Sequence, residues 1–287
     1  MLHFIINPIA HTVKLKRLRS LIEKKAEQAK REYLIHYTER IGHAGEIAAE
    51  LSRTPDSVIA VVGGDGTLHE VLNGIENFEN VTMALVPCGT GNDFAEAIGI
   101  PSDLEKSLDT VFFQEAKDTD WLQIGNKRSI NVAGLGMDVD VLERCYRGKL
   151  KGKIKYLLSL LQSMFLFKGY EVEYTIGDET KRYNALFACA CNGSQIGGGI
   201  RICPVADVQD GKLDFVFVHW HKGMELIKSF LSLMQGKFLS SSRCEHILCD
   251  KVVIRPVERA SCQLDGELYS DLSFEAEIKT GLKFIRP

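Results

Sequence analysis

Through the first third of the chain, short apolar runs alternate with longer stretches that are apolar on one stripe only. Residues 2–6 (LHFII) predict a strand. Residues 14–31 place Leu15, Leu18, Leu21, Ile22, Ala26 and Ala29 at three-to-four spacing, the signature of an amphipathic helix. A strand over 33–37, a helix over 43–51, a strand over 57–62, a helix beginning at 68–74 and a strand over 82–86 continue the pattern. Strands that alternate with helices predict a parallel, Rossmann-like α/β domain that binds its ligand at the carboxyl ends of the strands.

From about residue 120 the texture changes. Residues 121–124, 129–134, 170–176, 185–192, 213–219, 251–256, 261–264 and 274–278 read as short strands punctuated by Gly, Asn and Asp, the pattern of a β-sandwich. Helical patterns around 153–167 and 223–238 interrupt them. The expected division is an α/β domain over residues 1–119 followed by a β-sandwich domain over 120–272.

Composition narrows the function classes. With 287 residues, 45% hydrophobic and 25% charged, the chain has room for two cores. A net charge of −3 and a pI near 6.3 give no basic footprint, so no nucleic-acid partner is expected. The eight cysteines show no CxxC spacing and read as reduced thiols of a cytoplasmic protein. The amino terminus lacks a charged leader pattern. The greasiest stretch, 156–167, is interrupted by Ser159, Gln162 and Ser163 and is shorter than the roughly 20 residues a spanning helix needs.

Chemistry enters where strand 57–62 runs into Gly63-Gly64-Asp65-Gly66-Thr67. Glycines let backbone N–H groups approach a phosphate, and the following helix directs its positive end at the same spot. Such a string alone could also be a tight turn. A second corner, Gly89-Thr90-Gly91-Asn92-Asp93-Phe94, again follows an apolar strand, and two such corners in neighbouring units of one sheet would converge on one ligand. Asp65 inside an anion nest would repel phosphate unless a cation lies between, which points to Mg²⁺-bound nucleotide or to proton handling.

Together with Ile6-Asn7-Pro8, Thr38-Glu39-Arg40-Ile41-Gly42-His43-Ala44, Leu68-His69-Glu70, Asn131 through Gly136-Met137-Asp138, Asn192, Gly197-Gly198-Gly199, Asp210-Gly211-Lys212-Leu213-Asp214 and Leu264-Asp265-Gly266-Glu267, these strings span nearly the whole chain. The combination resembles the diacylglycerol kinase catalytic domain in its bacterial lipid kinase form, distantly related to NAD kinases. The resemblance implies a Mg²⁺-ATP-dependent kinase that phosphorylates a lipid hydroxyl, diacylglycerol being the leading acceptor. It implies an ATP site lined by Asn7, Pro8, Ile9, Ala10, His11, Thr38, Gly63, Gly64, Asp65, Gly66, Thr67, Leu68, His69, Glu70, Thr90, Gly91 and Asn92. Glu267 would accept the proton of the attacking hydroxyl, with Asp65 as its catalytic companion. Asp65 and Asp93 would hold the catalytic Mg²⁺, and Asp207, Asp210 and the Lys212 carbonyl a structural Mg²⁺. Residues 273–287 would return to the first domain, and a homodimer that visits the inner face of the membrane is expected. One departure is His11, which stands where the family has a glycine; it would either crowd a phosphate or, protonated, hold one.

Other features carry less. His219 and His221 flank Trp220 at strand spacing without a carboxylate or thiol pattern nearby, and Cys189 and Cys191 alternate as core sulfurs would. The basic stretch from Arg147 to Lys155 beside an apolar helix fits either an anionic membrane surface or a solvated charge run. The apolar face of residues 224–238 fits a lipid pocket or ordinary packing. Two alternatives to a lipid kinase stand: an NAD kinase, which shares GGDGT but not the GTGNDF string in this form, and a nucleotide-binding regulator without catalysis, suggested by His11.

Overall fold

A computed structural model describes residues 1–8, 15–147, 152–258, 260–270 and 272–287, with the side chains of 152–157 outside that description. Its residues form two compact units, Met1–Asp120 with Thr280–Pro287, and Trp121–Lys279.

The first unit contains β1 (Leu2–Ile6), α1 (Leu15–Ala29), β2 (Tyr33–Tyr37), α2 (His43–Leu51), β3 (Ser57–Gly63), α3 (Asp65–Gly74), β4 (Val81–Pro87), α4 (Asp93–Ala97) and α5 (Leu104–Phe113). The strands pair in parallel in the order β4-β3-β1-β2. Strands β1, β3 and β4 are buried on both sides, β2 forming the partly exposed edge: Leu2, Phe4, Ile6, Ala60, Val62, Ala84 and Val86 face Leu18 and Ile22 of α1 and Leu108 and Val111 of α5. The alternate residues Ile5, Ile59, Val61 and Met83 are also inaccessible. Near-continuous apolar strands of this kind are what a parallel sheet covered on both faces requires. Helix α3 starts at Asp65, three residues before the apolar pattern announces it, so its first turn is the glycine-rich string itself.

The second unit contains β5 (Ala116–Ile124, beginning at the first unit's end), β6 (Lys127–Ser129), β7 (Val132–Gly136), α6 (Met137–Arg147), α7 (Gly152–Leu166), β8 (Tyr170–Ile176), β9 (Glu179–Cys191), β10 (Leu213–His219), α8 (Met224–Met234), β11 (Cys244–Cys249), β12 (Lys251–Pro256), β13 (Cys262–Leu264), β14 (Glu267–Tyr269) and β15 (Phe274–Ile285, whose last residues belong to the first unit). Strand β9 organises it. Its first half pairs antiparallel with β8, and its second half lies between β7 and β10. Along β10, Leu213, Phe215 and Phe217 enter one core while Val216 and Val218 enter another under α7 and α8. Period-two alternation between two apolar environments makes this a β-sandwich-like unit with helical cover.

Helix α6 is invisible to periodicity. Met137, Val139 and Val141 alternate with Asp138 and Asp140, a strand-like pattern, yet the segment is helical and Arg144 pairs with Asp140 one turn back at 2.7 Å.

Residues of β15 that belong to the first unit pair in parallel with β4, Lys283 opposite Thr82 and Phe284 opposite Met83. There the fully buried Phe284 ring meets Phe94 edge-on, centroids 5.6 Å apart. Phe284→Ala should therefore cost about 3–5 kcal/mol of unfolding free energy in urea titrations; a loss under about 1 kcal/mol would show that this strand does not hold the first unit together.

Candidate active site

In the first unit, parallel register places Gly63 at the end of β3 opposite Pro87 at the end of β4, so both corners leave the sheet at one level. The Cys88 N–H donates to the Gly63 carbonyl at 2.8 Å and ties the two exits. Beyond them the backbones touch. A β-carbon on Gly64 would sit 2.9 Å from Gly89 Cα, and one on Gly89 would sit 2.5 Å from Gly64 Cα. No side chain fits at either position.

Polar contacts lock this approach. Asn92, at φ 57°, accepts the Gly89 N–H at 2.9 Å and donates to the Gly89 carbonyl at 3.1 Å. The Asp65 carboxylate reaches across from the first corner, accepting the Asn92 N–H at 2.7 Å and the Phe94 N–H at 3.5 Å. A β-carbon on Gly91 would lie 2.9 Å from an Asp65 oxygen and 3.4 Å from one of Asp93, so the two carboxylates converge on Gly91. Paired carboxylates are hard-oxygen donors of the type Mg²⁺ takes. The donor set fits the cation.

The other strand ends gather nearby. Asn7 donates its backbone N–H to Val62 O at 3.1 Å and its side-chain amide to Thr67 Oγ1 at 3.3 Å, while the Thr38 N–H reaches Ile6 O at 3.0 Å. No side chain caps α3 at Gly64, leaving a helix amino terminus suited to an anion. Leu68 and His69 are buried, and Glu70 accepts the Ala44 N–H at 3.3 Å at the start of α2, so these three serve the packing of α3. Thr90 is exposed beside Gly91, and Gly66 is half-buried in the first turn of α3. Pro8 ends the described stretch; Ile9, Ala10 and His11 lie outside the described residues, as do Gly148 through Lys151 of the basic stretch.

In the second unit, Glu267 opens β14 directly after a hairpin turn made by Asp265 and Gly266, at φ 53° and 90°. The two acids of this string differ in role. Asp265 is held by Ser129 Oγ at 2.6 Å and by the Asn131 and Ile130 N–H groups at 2.9 and 3.1 Å, which fixes the turn. Glu267 is half-buried and its Oε2 accepts the Tyr146 hydroxyl at 3.5 Å; burial first, and the Glu267 charge second, raise the Tyr146 pKa and keep that hydroxyl a donor. Asp207 and Asp210 each accept the backbone N–H two residues on, from Gln209 at 3.1 Å and Lys212 at 2.9 Å, and Lys212 Nζ pairs with Asp250. Asn131 and Asn192 donate to the carbonyls of Gln195 and Ile130 and so act structurally. His219 finds a carboxylate that its local sequence does not show, Glu245 at 2.9 Å, and both ring nitrogens of His221 are engaged, by the His219 carbonyl at 2.7 Å and Ser229 Oγ at 2.7 Å.

Asp138 was legible only as part of a string. The residue is half-buried in the second unit but both carboxylate oxygens are inaccessible, neither meets a partner at hydrogen-bond geometry, and their burial raises the pKa to about 6 against weaker opposing pulls from the Val139 N–H and Gln263. It lines a small apolar cleft with Met137, Leu160, Phe187, Phe230 and Leu233 among its walls.

Known proteins share this plan. Residues 1–124 match the diacylglycerol kinase catalytic domain, and residues 131–283 match the YegS C-terminal NAD kinase beta sandwich-like domain. The chain belongs to this diacylglycerol kinase and YegS-type lipid kinase family. It is 28% identical to a diacylglycerol kinase of Bacillus subtilis over 92% of this chain and 88% of that protein. A crystal structure of a diacylglycerol kinase from Bacillus anthracis superposes with a TM-score of 0.78 at 22% identity, covering 100% of this chain and 96% of the other. An NAD kinase from Archaeoglobus fulgidus in complex with ATP shares the fold more distantly, with a TM-score of 0.52 at 15% identity over 100% of this chain and 94% of that one.

Two outcomes follow from this geometry. Gly89→Ala should cost about 1–3 kcal/mol by pushing the corners apart, and should weaken ATP binding measured by calorimetry; unchanged stability and affinity would show that the close approach is dispensable. For Asp138, a folded pKa raised from 3.8 to about 6 means its contribution is fully present below pH about 3.8 and is lost as pH rises through about 6. Asp138→Asn should therefore gain about 2 kcal/mol relative to the parent between pH 4 and pH 7.5, read from denaturant titrations at both values; a pH-independent difference would refute the shift.

Proposed function

We propose that this protein transfers the γ-phosphate of ATP to a lipid hydroxyl, with diacylglycerol as the leading acceptor. The observation that carries the reading is the Gly64–Gly89 contact, which joins two glycine-rich corners beside converging Asp65 and Asp93 carboxylates. In this reading the backbone of residues 64–67, the uncapped start of α3, and Asn7, Thr38 and residues 89–92 hold the nucleotide. Asp65 and Asp93 hold Mg²⁺, which when bound offsets phosphate charge and polarises the phosphoryl oxygens. Asp65 also fixes the second corner through its bonds to Asn92 and Phe94, so it positions as well as ligates.

Glu267 is the general base. It takes the proton of the acceptor hydroxyl as that oxygen forms its bond to the γ-phosphorus; the bond from phosphorus to the β–γ bridging oxygen breaks, and ADP leaves. The Tyr146 hydroxyl, donating to Glu267 Oε2, orients the carboxylate.

The lipid acceptor is supported by the second unit's surface. Among the described residues no helix is long and apolar enough to cross a membrane. Helix α7 nevertheless exposes Leu161, Phe165 and Leu166, with Phe165 82% exposed, and α8 exposes Met224, Ile227, Leu231 and Met234. These residues belong to the two helices that wall the Asp138 cleft. Apolar helix faces of this kind suit an enzyme that works from the cytoplasmic side and touches the bilayer only to collect substrate.

The test is γ-labelled ATP with Mg²⁺ and either diacylglycerol micelles or added NAD. Label in the organic phase is the expected result. Glu267→Gln should lower turnover by about 10²–10⁴-fold, the usual contribution of a general base, and Asp65→Asn should abolish it, with both variants folded by circular dichroism. Label on NAD would assign the NAD kinase alternative, nucleotide binding without transfer would assign the regulator, and near-normal turnover in Glu267→Gln would remove the base.

A further inference from the structure

Away from the kinase machinery, the antiparallel register of the second unit gathers a set of soft and borderline donors on one face of the sheet. Asp214 of β10 lies opposite Cys191 of β9, and Val216 lies opposite His246 of β11, so Cys191, Asp214 and His246 share that face. The loop after β9 lays Cys203 over it, anchored by the Cys203 N–H bond to Ser194 O at 3.0 Å. Among the described residues, Cys203 Sγ, an Asp214 carboxylate oxygen and a His246 ring nitrogen all lie within 4.8 Å of one another. His246 Nε2 already meets Asp214 Oδ1 at 2.5 Å. Asp214 is 4% exposed and Cys203 fully buried, while the His246 side chain is 29% exposed.

We propose that Cys203, Asp214 and His246 form a binding site for a borderline-soft divalent cation, Zn²⁺ fitting best. One thiolate, one imidazole and one carboxylate are the three donor types that Zn²⁺ takes at about 2.0–2.3 Å. Around a tetrahedral ion such donors stand about 3–4 Å apart, so the His246–Asp214 contact opens slightly from 2.5 Å as its proton is replaced, and Cys203 Sγ, within 4.8 Å of both, closes on the ion. A thiolate with an imidazole selects against Mg²⁺ and Ca²⁺, which prefer oxygen donors throughout. The half-open His246 side is the route in and leaves the fourth position for water. Binding replaces the proton shared by His246 and Asp214 and releases that of the Cys203 thiol to solvent. The ion pins the 201–203 loop to β10 and β11. This site is separate from the Asp207, Asp210 and Lys212 turn, whose donors are all oxygens.

The full chain, stripped with chelator and titrated with Zn²⁺ alone in excess Mg²⁺, should bind one equivalent and melt at a higher temperature. Co²⁺ in its place should give a thiolate-to-metal charge-transfer band. Cys203→Ala should lose that band. His246→Ala, at a half-exposed position that leaves the fold intact, should weaken binding by more than the roughly 10–100-fold that loss of an outer-shell partner costs. Asp207→Asn with Asp210→Asn should change neither readout. Absence of Zn²⁺ binding by the parent, or binding and a band that survive both Cys203→Ala and His246→Ala through other cysteines, would overturn the proposal.

Discussion

Everything at the nucleotide end of the first unit depends on two backbones being able to touch. Gly64 and Gly89 approach so closely that a single β-carbon on either would overlap the other chain. This contact lets Asp65 of one corner cap the other through the Asn92 and Phe94 N–H groups. It also brings a second acid, Asp93, to the same place. Converging carboxylates carry an electrostatic cost that a divalent cation, as proposed for this site, would offset.

The parallel sheet supplies the framework for that contact. Register alone sets Gly63 opposite Pro87, and strands buried on both faces resist slipping, because a shift by one residue would exchange two packed faces at once. The second unit uses the same economy of alternation differently. Strand β10 sends phenylalanines into one core and valines into another, and the one acid on its valine side, Asp214, is tolerated because His246 meets it. At Asp138 the carboxylate oxygens are buried without such a partner, and the protein accepts a carboxyl held toward its neutral state beside an apolar cleft.

Much of this was legible in the chain because the signals are local. Short apolar strands, the glycine-rich corners and the Asp265-Gly266 hairpin each follow from the conformational demands of a few neighbouring residues. Two of the failures of local reading are equally physical. Helix α3 begins inside GGDGT because glycine weakens a helix pattern without forbidding one, and α6 hides behind a period-two alternation that its i,i+4 Arg144–Asp140 pair overrides.

The sequence by itself determined the parallel α/β and β-sandwich plan, the family, and which carboxylates to watch, since strand periodicity and turn chemistry act over neighbouring residues. Only the tertiary structure decided what those carboxylates do locally: that Asp65 caps the second corner, that Asp265 fixes a turn while Glu267 meets Tyr146, and that Cys203, Asp214 and His246 meet at all. Those outcomes rest on contacts between residues distant along the chain, whose distances are set by strand register and backbone approach, and no local pattern records them.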